Sequence, residues 1–341
     1  MLKRKVGIIT GVFCSALLLT GCGKSAKDEF IQGIGNQNAQ ESGVWDFSMS
    51  ISDMKFSQED SAQTNPMIGM LITQIKDASL SGKIQVDAKK EKAFNLEMKL
   101  KAMGMDVPIS LVGSLDNEGK EPKLYLATDM MEYIVAVADS MTDGAIDSSQ
   151  LDTEKLKGKY IDLLAMNEES TKEWQDTIKE YQESEKERKQ SAKEYKEFLE
   201  GLDKDTFEKK GDTITHTFTK KELQKLIKIT TETSEKETSE KGKEQDPFEK
   251  IKDVSAKVSV NTKENKTNML INVKPQQDKN VDMGLESLSS KISITQKAKK
   301  ATISMPKKEN ILSEQEVEKI FSDSTSMTGL STEDTTVAIN Q

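Results

Sequence analysis

The sequence predicts an α+β fold built on a mostly antiparallel β-sheet with a few packing helices. Three observations predict it. Long stretches alternate apolar and polar residues with a period of two. Turn-forming clusters separate those stretches at hairpin spacing. Three Ser/Thr-x-x-Glu capping boxes stand at 170–173, 219–222 and 313–316, ahead of helical apolar spacing. Apolar residues make up 35% of the 341 and charged residues 31%, so a core forms only where the apolar ones are regularly placed.

The N-terminus decides the compartment. Lys3, Arg4 and Lys5 form a positive n-region, and residues 6–19 carry no charge. That apolar run is shorter than the roughly 20 residues a spanning helix needs, as in a secretory signal. It ends in Leu19-Thr20-Gly21-Cys22, which resembles the bacterial lipobox. The resemblance implies cleavage between Gly21 and Cys22, with Cys22 carrying diacylglycerol, whose two acyl chains are of the palmitate kind. Two chains on one residue suffice for stable anchoring where one does not. The expected location is the extracytoplasmic face of the cell membrane, and Gly23 with the lysine-rich composition leans towards a Gram-positive source.

After this signal peptide (1–21) comes a lipidated N-terminus and short helix (22–43). Phe30, Ile31 and Ile34 share one face of that helix and Ser25 is its N-cap. A β-rich domain is expected over 44–321. Trp45, Phe47, Met49 and Ile51 alternate with polar residues, and the phase slips at Met54 and Phe56, which predicts a bulge near Ser52-Asp53. Residues 66–75 are apolar enough for a short helix or a flap. Leu80, Ile84, Val86 and Ala88 begin a meander that continues through Phe94, Leu96, Met98, Leu100 and Ala102. Met105, Val107, Ile109, Leu111 and Leu115 carry it on, and residues 123–128 end it. Residues 133–138 and 160–164 are short continuous apolar runs within the expected strand region 44–165.

A helical insertion follows at 168–205, as one helix or two, with Trp174, Ile178, Tyr181, Ala192, Tyr195, Leu199 and Leu202 as its apolar positions. A strand and helix occupy 212–229, with Ile214, His216 and Phe218 in the apolar phase. Residues 230–247 read as a polar linker. Strands return over 253–306, through Val254 to Val260, Met269 to Val273, and Ile292 and Ile294 turning into Ala301, Ile303 and Met305. A last helix covers 313–321, and 322–341 is a polar tail of disordered composition.

This order of elements resembles the LolA/LppX-like half-barrel lipoproteins of bacteria, in which a curved sheet encloses an apolar cavity, and the resemblance implies that the sheet here is curved and half-barrel-like. The resemblance implies a hydrophobic or lipid-like ligand. Trp45, Phe47, Met49, Leu96, Met98, Leu100, Ile109 and Leu111 are the candidate cavity lining, with 66–75 as the candidate cover. Methionine, with 16 copies, suits an irregular apolar surface. The alternative is an envelope-assembly lipoprotein that docks a protein partner and holds no small molecule.

Several chemistries are disfavoured. Removing Lys3, Arg4 and Lys5 shifts the formal charge from −9 to −12, which argues against nucleic acid as a partner. Cys14 lies in the signal and Cys22 takes lipid, so no thiol remains for catalysis, a disulfide or zinc. His216 is the only histidine, and it reads as an inward-facing core residue. No phosphate-binding glycine loop, metal spacing or nucleophile elbow is present, so the expectation is a protein without cofactor, metal or enzymatic activity. Asn265-Lys266-Thr267 matches a glycosylation sequon by chance.

Overall fold

The computed structural model describes residues 24–38, 42–56, 66–88, 92–102, 104–114, 122–141, 153–165, 185–232, 248–276 and 285–325. Cys22, the capping box at 170–173 and the C-terminal tail beyond 325 lie outside them. The fold is α+β: one curved, unclosed, mostly antiparallel sheet of twelve strands with helices packed on it. In chain order the helices are α1 (Ala26–Asn38), α2 (Pro66–Lys76), α3 (Met131–Met141), α4 (Thr153–Leu156), α5 (Glu185–Glu200), α6 (Lys220–Glu232) and α7 (Glu314–Thr325).

The strands are β1 (Gly43–Phe56), β2 (Ser79–Asp87), β3 (Ala93–Ala102), β4 (Met105–Ser114), β5 (Lys123–Ala127) and β6 (Tyr160–Asp162), then β7 (Glu208–Lys210), β8 (Thr213–Phe218), β9 (Ile251–Asn261), β10 (Lys266–Pro275), β11 (Leu285–Lys297) and β12 (Ile311–Leu312). Their spatial order is β12-β6-β5-β4-β3-β2-β1-β11-β10-β9-β8-β7. Two meanders therefore meet at β1 and β11, the longest strands. Their ladder slips a register between Ile51 and Asp53, and that bulge returns Met54 to the apolar side, where it is 5% exposed.

Residues paired across antiparallel strands share a face, so the register sorts every side chain. One face carries Val258, Met269, Ile292, Met49, Leu80, Leu100 and Val107 in a single row. The neighbouring row runs Val260, Thr267, Ile294, Phe47, Gly82, Met98 and Ile109. This is the apolar face. Helices cover its two ends. Phe30 and Ile34 of α1 and Leu199 of α5 pack with Ile214, Phe218, Val258 and Val260 at one end. Val135 of α3 and Val317 of α7 pack with Leu156, Ile161 and Leu312 at the other.

The caps explain where helices begin. The Ser25 hydroxyl and amide meet the Asp28 carboxylate at 2.8 and 3.1 Å. Thr219 and Glu222, and Ser313 and Glu316, form the same reciprocal pairs.

The opposite face is polar except at one edge, and here the structure corrects the reading of the sequence. Ala301, Ile303 and Met305 form no strand. Residues 298–310 instead run as a strap from the end of β11 to β12, which pairs in parallel with β6 at the far edge of the sheet. The Thr302 amide donates to Gln85 Oε1 at 3.3 Å, which places the strap on the polar face. The row Val44, Gln85, Val112 and Tyr125 on that face is consequently buried. Alternation in 301–305 is real, since Ala301, Ile303 and Met305 are half-buried while Thr302 and Ser304 are exposed. A period of two marks extended chain against a surface and does not by itself require a ladder. Residues 133–138 also depart from the expected strand region, because they lie in helix α3. A short apolar run fits a buried strand or a helix equally well.

Candidate functional site

Between the two helix clusters, the middle of the apolar face stands open among the described residues. Met49 is 45% exposed, Ile294 41% and Leu100 36%. Trp45, Phe47, Leu80, Ile84, Leu96, Met98, Ile109, Leu111 and Ile292 around them are half-buried. All eight sequence-predicted lining residues thus lie on this one face, on β1, β3 and β4. Strand β2 between them adds Leu80 and Ile84, and β11 adds Ile292 and Ile294. Sequence reasoning had these residues in strands but left them off the lining. The missing information was pairing order, because β11 is remote in sequence yet adjacent to β1.

From β11 to β4 the face crosses four strand spacings, roughly 19 Å at about 4.8 Å each. That exceeds the ~15 Å depth of one bilayer leaflet's hydrocarbon, so an extended acyl chain fits across it. Two glycines shape the surface. Gly82 lies beneath the Phe47 ring, and Gly113 beneath the Phe94 ring, whose Cε1 would stand 2.8 Å from an added Cβ. A glycine inside a strand allows such close approach and a tight bend. Helix α2 packs against β1; its Ile72 is half-buried and Ile75 is 40% exposed.

No family model, curated protein or solved structure matches this chain.

The groups with chemical potential sit elsewhere. His216 of β8 is 1% exposed, its ring stacked on Phe207 at 4.4 Å and edge-on to Phe218 at 4.5 Å. The Thr206 hydroxyl donates to the Asp203 carbonyl at 2.6 Å, so its oxygen accepts from His216 Nδ1 at 3.1 Å. That fixes the neutral tautomer with hydrogen on Nδ1, and Nε2 is left without a hydrogen-bond partner. Burial holds the imidazole below its ordinary range, against the weaker upward pull of the Thr206 carbonyl and the Glu222 carboxylate. Burial also pushes the Tyr195 phenol up to about 12. Neither group is presented to solvent as an acid or base. Among the described residues, no cluster of His, Cys, Asp and Glu could hold a metal ion, and no helix is long and apolar enough to cross a membrane. Cys22 and Gly21 lie outside the described residues.

Proposed function

We propose that this protein is a membrane-anchored extracytoplasmic lipoprotein whose open apolar face binds a hydrophobic, lipid-like ligand. One observation carries the reading. Large apolar side chains at Met49, Leu100 and Ile294 remain more than a third exposed between two well-covered flanks. Contiguous exposed apolar surface in a folded chain marks a binding surface. The anchor is Cys22, carried by the lipobox pattern at 19–22. Labelled palmitate should enter the wild-type chain and not Cys22→Ala.

The deciding experiment is native mass spectrometry with lipid extraction on protein purified from cells. A stoichiometric apolar adduct is expected, lost in Met98→Trp, which fills the face, and in Ile294→Glu, which charges it. A clean apo mass across several lipid extracts overturns the ligand reading and favours docking of an envelope protein on the same face.

A further inference from the structure

The polar face holds a second surface, on β9, β10, β11 and β1, with a different chemistry. An open depression of about 500 Å³ is lined there by Lys257, Lys266 and Lys291, by the hydroxyls of Ser48, Ser50, Ser259 and Ser293, and by Asn268. That volume lies within the ~300–1,000 Å³ of small-ligand sites, but the surface is open, which suits a chain lying along it better than an enclosed molecule. The register explains the arrangement. Lys257 and Lys291 both pair with Leu270 of β10, one from each side, so their backbones are about 10 Å apart. Lys266 is four residues along β10, about 13 Å away at strand rise. Leu270 lies between the lysine stems, leaving the ammonium groups to spread above the serines.

Charge selects the occupant. The whole chain is acidic, at −9, yet no carboxylate lines this depression. Elsewhere on the same face three lysines are neutralised: Lys83 by Glu97 at 2.7 Å, Lys99 by Asp106 at 2.8 Å and Lys297 by Asp46 at 2.8 Å. Lys257, Lys266 and Lys291 form no ion pair among the described residues. Three unneutralised point charges separated by hydroxyl and amide groups fit an anion that repeats and itself carries hydroxyls. No aromatic side chain lines the surface, so it offers no stacking platform for sugar rings or bases.

We infer that this face binds a polyol-phosphate chain, its phosphates held by Lys257, Lys266 and Lys291 and its hydroxyls by the serines and Asn268. This choice rests on the proposed anchor at Cys22: the occupant is a chain rather than a phospholipid headgroup, because α1, which follows Cys22 in the chain, packs on the opposite side of the sheet. The inference concerns the polar face alone and stands or falls separately from any ligand on the apolar one.

The test is fluorescence anisotropy of a labelled glycerol-phosphate hexamer with the full-length chain in uncharged detergent. Saturable 1:1 binding is expected, weakening as salt rises from 50 to 300 mM because the charges are exposed. The triple variant K257Q/K266Q/K291Q should bind at least tenfold more weakly with its denaturation midpoint unchanged. If it is unstable, each single variant should lose about threefold. A control triple on the strap, K299Q/K300Q/K308Q, should stay within twofold of wild type. Absent hexamer binding, equal binding of neutral hexaglycerol, or an equal loss in the control each overturns the proposal. Tighter binding to phosphatidylglycerol vesicles than to the hexamer, through the same lysines, also overturns it and makes the occupant a membrane.

Discussion

The Phe47 ring of β1 covers Gly82, its cross-strand partner on β2: a Cβ added at 82 would stand 2.9 Å from Phe47 Cζ and would collide with the Glu97 carbonyl oxygen. The ring can move, but the carbonyl belongs to the adjacent strand and cannot. Gly82→Ala should therefore destabilise by about 1–3 kcal/mol, the usual scale of overpacking. Gly82→Val, despite its better strand propensity, should cost more. Guanidinium denaturation of the three proteins checks the order, and an unchanged midpoint for Gly82→Ala would mean that the strands part easily here.

The apolar face predicts a contrast between two identical substitutions. Ile214 is fully buried beneath the helices, and Ile294 is 41% exposed on the open part of the same face. Ile214→Ala should cost about 2–5 kcal/mol, as core truncations to alanine do. Ile294→Ala should cost less than about 1 kcal/mol, because little apolar area is returned to water. Ligand retention should follow the reverse order at equal folded fraction. Comparable losses of stability would show that residue 294 is covered in solution.

Helix α1 supplies a case where context reverses propensity. Alanine in place of a mid-helix glycine ordinarily gains about 0.5–1 kcal/mol. At Gly33 a Cβ would stand 2.6 Å from Val260 Cγ1 and 3.2 Å from Thr262 Cγ2, and Val260 is fully buried. Gly33→Ala should therefore destabilise by about 1–3 kcal/mol. The Glu29–Lys209 ion pair at 2.6 Å bridges the same helix to β7, yet both groups are partly exposed, and Glu29→Gln should cost under about 1 kcal/mol. Thermal melts of both variants order the two effects. A stabilised Gly33→Ala would show that α1 sits further from β9.

Much of this fold was legible because each strand of a hairpin carries its own alternation. Trp45 to Ile51, Phe94 to Ala102 and Val254 to Val260 give phase and face from sequence alone, and Met54 and Phe56 betray the bulge. Pairing between the two meanders was not legible, since no local signal tells β1 that β11 is its neighbour. The strap at 298–310 was missed for the same reason. Val44, Val112 and Tyr125 are apolar residues in the polar phase, and that irregularity was the available sign that something covers them. The lining lysines of the polar face were also hidden, because Lys257, Lys266 and Lys291 lie apart in sequence and only the register gathers them.

His216 makes stability depend on pH in a defined direction. The imidazole is the chain's only one, and burial lowers its affinity for protons in the fold below that of a free imidazole, about 6.5. Above that value both folded and unfolded chains hold it neutral, and its contribution is complete. As pH falls below 6.5 the unfolded chain binds a proton that the folded chain refuses, so stability drops until pH passes the lowered folded value. The structural cause is Nε2: a proton there would have no acceptor, with Phe207, Phe218 and Phe30 around the ring. The loss approaches, at most, about 1.4 kcal/mol per pH unit. Ordinary carboxylates titrate mostly below this window. Guanidinium midpoints should therefore fall between pH 7 and pH 5 in the wild type. In His216→Phe, which keeps an aromatic ring and removes the titration, they should stay nearly level. Parallel pH dependence in the two proteins would place the proton uptake on other groups.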